Sequence, residues 1–174
     1  MFIYWTADGY ATTGCYNLDC PGFVQTSEKG VLGGAFSQYS VSGGAQYQVG
    51  LGYFYYSGNW WLTRDNVWIG YFPGSLYNNG PMTSGKCEQI QFGTESVGNV
   101  VWPGEGSGNW SSSGYSYAAF QNGIYYVDFQ GSNTPASLSA YQPSPNCYSI
   151  TGPTNGGGNW SVYFYEGGPG GRNC

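Results

Sequence analysis

Residues 46 to 56, Gln-Tyr-Gln-Val-Gly-Leu-Gly-Tyr-Phe-Tyr-Tyr, alternate with a period of two, which places Tyr47, Val49, Leu51, Tyr53 and Tyr55 on one face of an extended strand. Gln46, Gln48 and glycines fall on the opposite face. The alternation predicts a sheet with one core face and one flat, polar face, as in a sandwich sheet that lines a cleft. Shorter runs rich in β-branched and aromatic residues predict strands at 60–63, 67–72, 88–93, 115–120, 124–129 and 160–165, and Phe2-Ile3-Tyr4-Trp5 reads the same way. The connections carry Gly, Pro, Asn or Ser, including the pairs Asn79-Gly80, Asn122-Gly123 and Asn155-Gly156. No convincing helix is present, and no stretch reaches transmembrane length. Gly-Asn-Trp begins at residues 58, 108 and 158, but the flanks share only glycine and small residues. Each triplet therefore reads as a turn followed by a core Trp, not as a repeat.

Composition agrees with this pattern. Thirty-one glycines, eighteen tyrosines and seven tryptophans, against four Lys plus Arg in 174 residues, describe a chain poor in helix formers and rich in strand and turn residues. The expectation is a single all-β domain over residues 1–174, an antiparallel sandwich or barrel, and the 20% aromatic content argues against disorder. A net charge of -5 without any Lys/Arg cluster leaves no footprint for nucleic acid or an anionic membrane. With nine acidic groups and no His, few groups change charge in mild acid, so tolerance of such conditions is expected.

The five cysteines point to an oxidising compartment. Cys15 with Cys20 would tie a tight loop and Cys147 with Cys174 would clamp the C-terminal residue to the body, leaving Cys87 over. A zinc site fails on spacing and on the absence of His. Asn109-Trp110-Ser111 and Asn159-Trp160-Ser161 are glycosylation sequons, which fits secretion. No signal peptide is recognisable, and Met1 stands directly before a strand, which reads as a truncated start.

The missing imidazole also limits the chemistry. Ser or Cys nucleophiles lack a His base, and Lys29 and Lys86 lie in no recognisable Ser-Lys motif. Metal hydrolysis lacks ligands, and the glycine-rich stretches open no phosphate-cradling helix. What remains is a pair of carboxyl groups with separated pKa values. Asp8, Asp19, Asp65, Asp128, Glu28 and Glu166 read as solvated or turn-capping groups. Glu88, Glu95 and Glu105 stand out, and Glu95 most, because it follows Ile90-Gln91-Phe92-Gly93-Thr94 and sits where glycine would admit a substrate backbone.

The segment from Phe2 to Gln25, with Tyr4-Trp5-Thr6, Asp8, Thr13-Gly14-Cys15-Tyr16-Asn17-Leu18, Cys20 and Gly22-Phe23-Val24-Gln25, closely resembles the Y-W-T-x-D-x-Y-x-x-T-G-C-Y-N-L-x-C-x-G-F-V-Q signature of the neprosin domain. Further matches follow in order at Gly58-Asn59-Trp60-Trp61-Leu62, Ile69-Gly70-Tyr71-Phe72-Pro73, Gln91-Phe92-Gly93-Thr94-Glu95, Asn146-Cys147-Tyr148 and Gly167-Gly168-Pro169-Gly170, and the close of the chain at Cys174 matches too. The resemblance implies a secreted, concanavalin-like, glutamic-peptidase-like β-sandwich of two antiparallel sheets, with both disulfides as above. It also implies an endopeptidase that cleaves after proline at acid pH, using one glutamate to activate water and another to polarise or protonate the scissile amide.

Glu95 matches the second of these glutamates, with Thr94 in place of a family glycine. The first belongs to a Glu-x-Gly-Trp segment upstream of the Tyr4-Trp5-Thr6 strand, which residues 1–174 do not contain. On this comparison the chain is a C-terminal portion without its first strands, expected to be inactive alone and poorly soluble through an unpaired edge. The expected substrate is a polypeptide, proline-rich in the favoured case, handled by a monomer without a cofactor. Trp61, Trp68 and Trp102 are candidate cleft-wall platforms. Against the peptidase stand two other readings, a secreted binding module for cell-wall carbohydrate or proline-rich peptide and a structural surface protein rich in Gly and Tyr.

Overall fold

The computed structural model describes residues 1–174. The protein is all-β, with eleven strands in four antiparallel sheets and no α-helix, consistent with a β-sandwich. Its residues gather into two compact units, one of Met1–Tyr39 with Tyr47–Ile90 and the other of Ser40–Gln46 with Gln91–Cys174.

In the first unit a two-stranded ribbon joins β1 (Tyr4–Trp5) and β2 (Cys15–Tyr16). The main sheet joins β3 (Val24–Gln25), β4 (Leu51–Tyr56), β5 (Asn59–Arg64) and β6 (Val67–Pro73) in the order β3-β6-β5-β4. Ser57-Gly58 and Asp65-Asn66 make the two hairpin turns, and all four residues have positive φ, the geometry that matches the twist of paired strands. One face of the sheet carries Leu62 and Phe72, which pack with Ile3, Phe23 and Ile69 as the core. Gly70 is required there, because a Cβ would collide with the Val24 carbonyl and the Phe23 ring.

The strand expected over residues 46–56 forms only from Leu51, and β4 is an edge strand on which Leu51 and Tyr53 remain exposed. The opposite face is not flat and polar. Phe54 lies across from Trp61, and Trp61 from Tyr71. Between the pairs Leu62 with Gly70 and Thr63 with Trp68, β6 holds one extra residue, Ile69. This bulge turns Trp68 onto the same face as Trp61 and Tyr71, positions that an unbroken alternation would separate. The Ile69 side chain is fully buried, and its carbonyl accepts from Thr26 N–H at 2.9 Å.

In the second unit β7 (Ala119–Gln121), β10 (Ser149–Asn155) and β11 (Val162–Gly167) form a sheet in the order β10-β11-β7, while β8 (Tyr125–Val127) pairs with β9 (Asn133–Pro135). Ile124, Ala136, Val162 and Phe164 make its core, with Leu138 and Ile150 against it. Beyond Glu166 the chain passes between the loop from Trp102 to Asn109 and Cys147, making bridges from Gly168 to Glu105 and from Gly171 to Trp102. A Cβ at Gly168 would collide with the Cys147 carbonyl, so glycine is what lets this passage close.

Both expected disulfides are present, with Cα separations of 6.1 Å for Cys15–Cys20 and 5.8 Å for Cys147–Cys174, and Cys87 is free and exposed. Two expected strands fail. Residues 88–93 form no strand and are bent at Glu88 and Gly93, and 115–120 begins as a turn in which Ala118 N–H bonds the Gly114 carbonyl, so β7 starts only at Ala119.

Candidate active site

Along β11 the side chains of Val162, Phe164 and Glu166 fall on the buried face. The first two complete the core, and the strand then carries a carboxyl group into the same layer, where Glu166 is 4% exposed. Across the ladder Glu166 faces Ala119 and Phe164 faces Gln121, so Gln121 is the diagonal neighbour of Glu166 on that face. Its Nε2 donates to Glu166 Oε1 at 3.0 Å, and Thr94 Oγ1 donates to Oε2 at 3.4 Å. No cation reaches it, because the protein's ion pair lies between Arg64 and Asp65 in the other unit.

Burial pushes the Glu166 pKa up, against the smaller downward pull of the Gln121 and Thr94 hydrogen bonds. Glu105 is also pushed up, first by burial and then by the charge of Glu166. Its position follows from the bridge to Gly168, with Glu105 N–H on the Gly168 carbonyl at 2.9 Å. Glu166 is thus a neutral-favouring carboxyl in a dry sheet face, with a hydroxyl and an amide as its hydrogen-bond partners, and the half-buried Glu105 on its loop feels its charge.

The Gln91-to-Glu95 stretch lies over this site. A Cβ on Gly93 would stand 3.9 Å from Glu166 Oε2, and the next residue is the Thr94 that bonds it. Glu95 follows on an exposed, irregular segment. Glu88 is exposed in the first unit, and Glu105 lies beside Glu166. Sequence reasoning passed over Glu166 as a solvated or turn-capping group, because Gly167-Gly168 resembles a turn. The period-two series Val162, Phe164, Glu166 was the available signal.

The turn-capping reading does hold for Asp8 and Asp128, and the solvated reading for the exposed Asp19 and Asp65. Asp8 accepts from the N–H and Oγ1 of both Thr12 and Thr13, which holds its carboxyl far below the usual range. Asp128 accepts from Gln130 and Ser132 N–H, and Asp65 from Gly50 N–H. No group of three or more His, Cys, Asp or Glu side chains is arranged to hold a metal ion.

The three candidate tryptophans divide between the units. Trp61 and Trp68 meet edge to face at 5.0 Å on the outer face of the first unit's sheet, where Trp61 also meets Tyr71 at 4.6 Å and Trp68 meets Tyr56 and Phe54. Trp102 belongs to the second unit, its N–H on the Gly171 carbonyl at 2.7 Å. The Asn109 sequon is closed, since Ser111 is 1% exposed and Asn109 Nδ2 donates to Ser42 Oγ and the Tyr117 carbonyl. Asn159 is exposed.

A family model described as Neprosin matches residues 1–169 of the 174. That span includes all four sheets, three of the four disulfide cysteines, the Gln91-to-Glu95 stretch and Glu166. The chain belongs to the Neprosin family.

Proposed function

We propose that the chain is the Glu95-bearing part of an acid-active glutamic endopeptidase domain of a secreted protein, acting as a monomer on polypeptides and cleaving after proline. The observation that supports this reading is the family match over residues 1–169, which takes in the exposed Glu95 on its glycine-containing stretch. In a chain without His, hydrolysis is carried by two carboxyl groups. The glutamate of a Glu-x-Gly-Trp segment, as general base, takes a proton from water as its oxygen attacks the scissile carbonyl. Glu95, as general acid, hydrogen-bonds that carbonyl and then protonates the amide nitrogen as the C–N bond breaks. Proton return between the two carboxyls restores both. The disulfides support an oxidising compartment.

The test joins residues 1–174 to an upstream Glu-x-Gly-Trp segment and follows cleavage of a proline-containing peptide. Glu95→Gln, nearly isosteric but unable to exchange a proton, should lower kcat by about 100-fold to 10,000-fold. Retained activity in that variant removes Glu95 from the mechanism.

A second reading, a binding module for carbohydrate or proline-rich peptide, is favoured by the aromatic face of Phe54, Tyr56, Trp61, Trp68 and Tyr71, where Trp68 is 45% exposed. Saturable quenching of tryptophan fluorescence by an oligosaccharide, lost in Trp68→Ala, would support it. An oligosaccharide that leaves the fluorescence unchanged argues against the carbohydrate form.

A further inference from the structure

The one ion pair of the protein leaves its cation unsatisfied. Arg64 Nε stands 3.5 Å from Asp65 Oδ2, longer than a charged hydrogen bond, and the same carboxylate already accepts from Gly50 N–H through Oδ1 at 2.9 Å. The guanidinium is otherwise placed by the Phe36 ring, whose centroid lies 5.3 Å from Cζ. It donates no hydrogen bond to any protein acceptor, although the Arg64 side chain is only 33% exposed and a guanidinium carries five N–H donors. An arginine covered to that extent ordinarily spends its donors on a carboxylate or on carbonyls.

Beside Arg64 the first unit holds a groove of about 270 Å³ between residues 35–38 and 47–49. Gln38 and Gln48 line it, both exposed, and neither side-chain amide is engaged. Residues 35–38 and 48–49 also make no backbone-to-backbone hydrogen bond. A primary amide offers a donor and an acceptor together, as a peptide group does, and unpaired backbone offers the same pair. Asp65 is the only acid in the lining, and its contacts hold it to Gly50 and to the Nε side of Arg64.

We propose that this groove binds a polypeptide segment by a carboxylate, with the Nη groups of Arg64 donating to its two oxygens and the Gln38 and Gln48 amides pairing with the adjoining peptide groups. The Phe36 ring and Asp65 fix the guanidinium beforehand, so little side-chain freedom is lost on binding. The carboxylate comes from a chain terminus or from an acidic side chain. A uronic acid offers the same charge but hydroxyls in place of peptide groups, and the unpaired backbone along the groove favours the peptide. The inference takes its ligand class from the proposed action on polypeptides. It is read without turnover, so its failure would not bear on Glu95, and an active Glu95→Gln variant would not bear on it.

Magnetic resonance titration of the 15N-labelled 174-residue chain tests this with four probes. They are acetyl-Ala-Ala-Pro with a free carboxylate, the same peptide amidated, acetyl-Ala-Glu-Ala amide, and glucuronic acid. At least one of the two carboxylate peptides should shift the Arg64 Nε–H signal and the Gln38 and Gln48 side-chain amide signals saturably, with one Kd. The amidated acetyl-Ala-Ala-Pro should not. Which carboxylate peptide binds more tightly assigns the group to a terminus or to a side chain.

Arg64→Lys, which keeps the charge without the fork, should raise that Kd by about 10-fold, and Arg64→Gln by about 10-fold to 100-fold. Gln48→Ala, at an exposed position, should raise it by about 5-fold. The backbone amide spectrum of each variant reports whether the fold is intact. No saturable shift with either carboxylate peptide, equal affinity for the amidated peptide, an unchanged Kd in Arg64→Gln, or tighter binding of glucuronic acid than of either peptide would each overturn the proposal.

Discussion

Asp8 and Glu166 carry the same functional group and are held by opposite means. Asp8 gathers hydroxyl and amide donors from Thr12 and Thr13 in an exposed turn and stays ionised. Glu166 enters a dry sheet face with two neutral donors, and its pKa rises. The sign of the consequence follows. Below the ordinary glutamic range both folded and unfolded chains hold the proton, and stability is full. As pH rises, the unfolded chain releases its proton first, and stability falls until the folded carboxyl also ionises. Urea unfolding should therefore show a fold more stable in mild acid than at neutrality. Glu166→Gln should lessen that decline, by about 1.4 kcal/mol for each pH unit of the interval. Equal slopes for the two proteins would show that Glu166 is not the group responsible. At the same scale, expression in a glycosylating secretory pathway should place glycan on Asn159 and not on Asn109, as read by peptide mass mapping, because Asn109 and Ser111 are engaged within the fold. Glu166 itself was half legible. Its place in a period-two series was visible, whereas the hydroxyl that bonds it comes from more than 70 residues away, at Thr94.

Among the elements, β5 and β6 were read from sequence almost to the residue, because aromatic and β-branched runs bounded by turn residues are what central strands require. Three features were not. The bulge at Ile69 depends on which partner residues face each other, and no local pattern in Val67–Pro73 shows it. Strand β10 contains Gly152-Pro153, which breaks the alternation where its register against β11 also shifts. The polar face expected opposite Tyr53 and Tyr55 was inferred from Gln46 and Gln48, yet the strand begins beyond them and presents Phe54 and Tyr56 instead. The Gly-Asn-Trp triplets were legible as turns, since Gly58, Gly108 and Gly158 all have positive φ, but the core Trp expected after each turn fails at Trp110, which is 39% exposed. Two substitutions check these placements by urea unfolding. Ile69→Ala, at a fully buried position, should cost about 2–5 kcal/mol. Gly168→Ala should destabilise the second unit, since the new methyl meets a backbone carbonyl that cannot swing aside. An unaffected Gly168→Ala variant would show that the passage beside Cys147 is looser than described.

For the whole molecule, sequence motifs identified the family and the disulfide pairing, and they did so because spaced Cys, Gly and aromatic residues survive as a readable pattern even where strand boundaries do not. The division into two units was not foreseen, since residues 40–46 join the second unit from within the sequence of the first. Their contacts to Ser116 and Asn109 are long-range and leave no local signal. The Cys147–Cys174 bond closes 27 residues of chain, so Cys174→Ser should lower stability by about 3.5 kcal/mol on loop entropy, measured by urea unfolding.

The claim that a carboxyl pair including Glu95 performs the chemistry is tested most directly by the pH profile of kcat/KM on a proline-containing peptide. The comparison is between residues 1–174 joined to a Glu-x-Gly-Trp segment and the same polypeptide with Glu95→Gln. Acid-confined cleavage that disappears in the variant is the expected result. Cleavage with an unchanged profile in Glu95→Gln would contradict it.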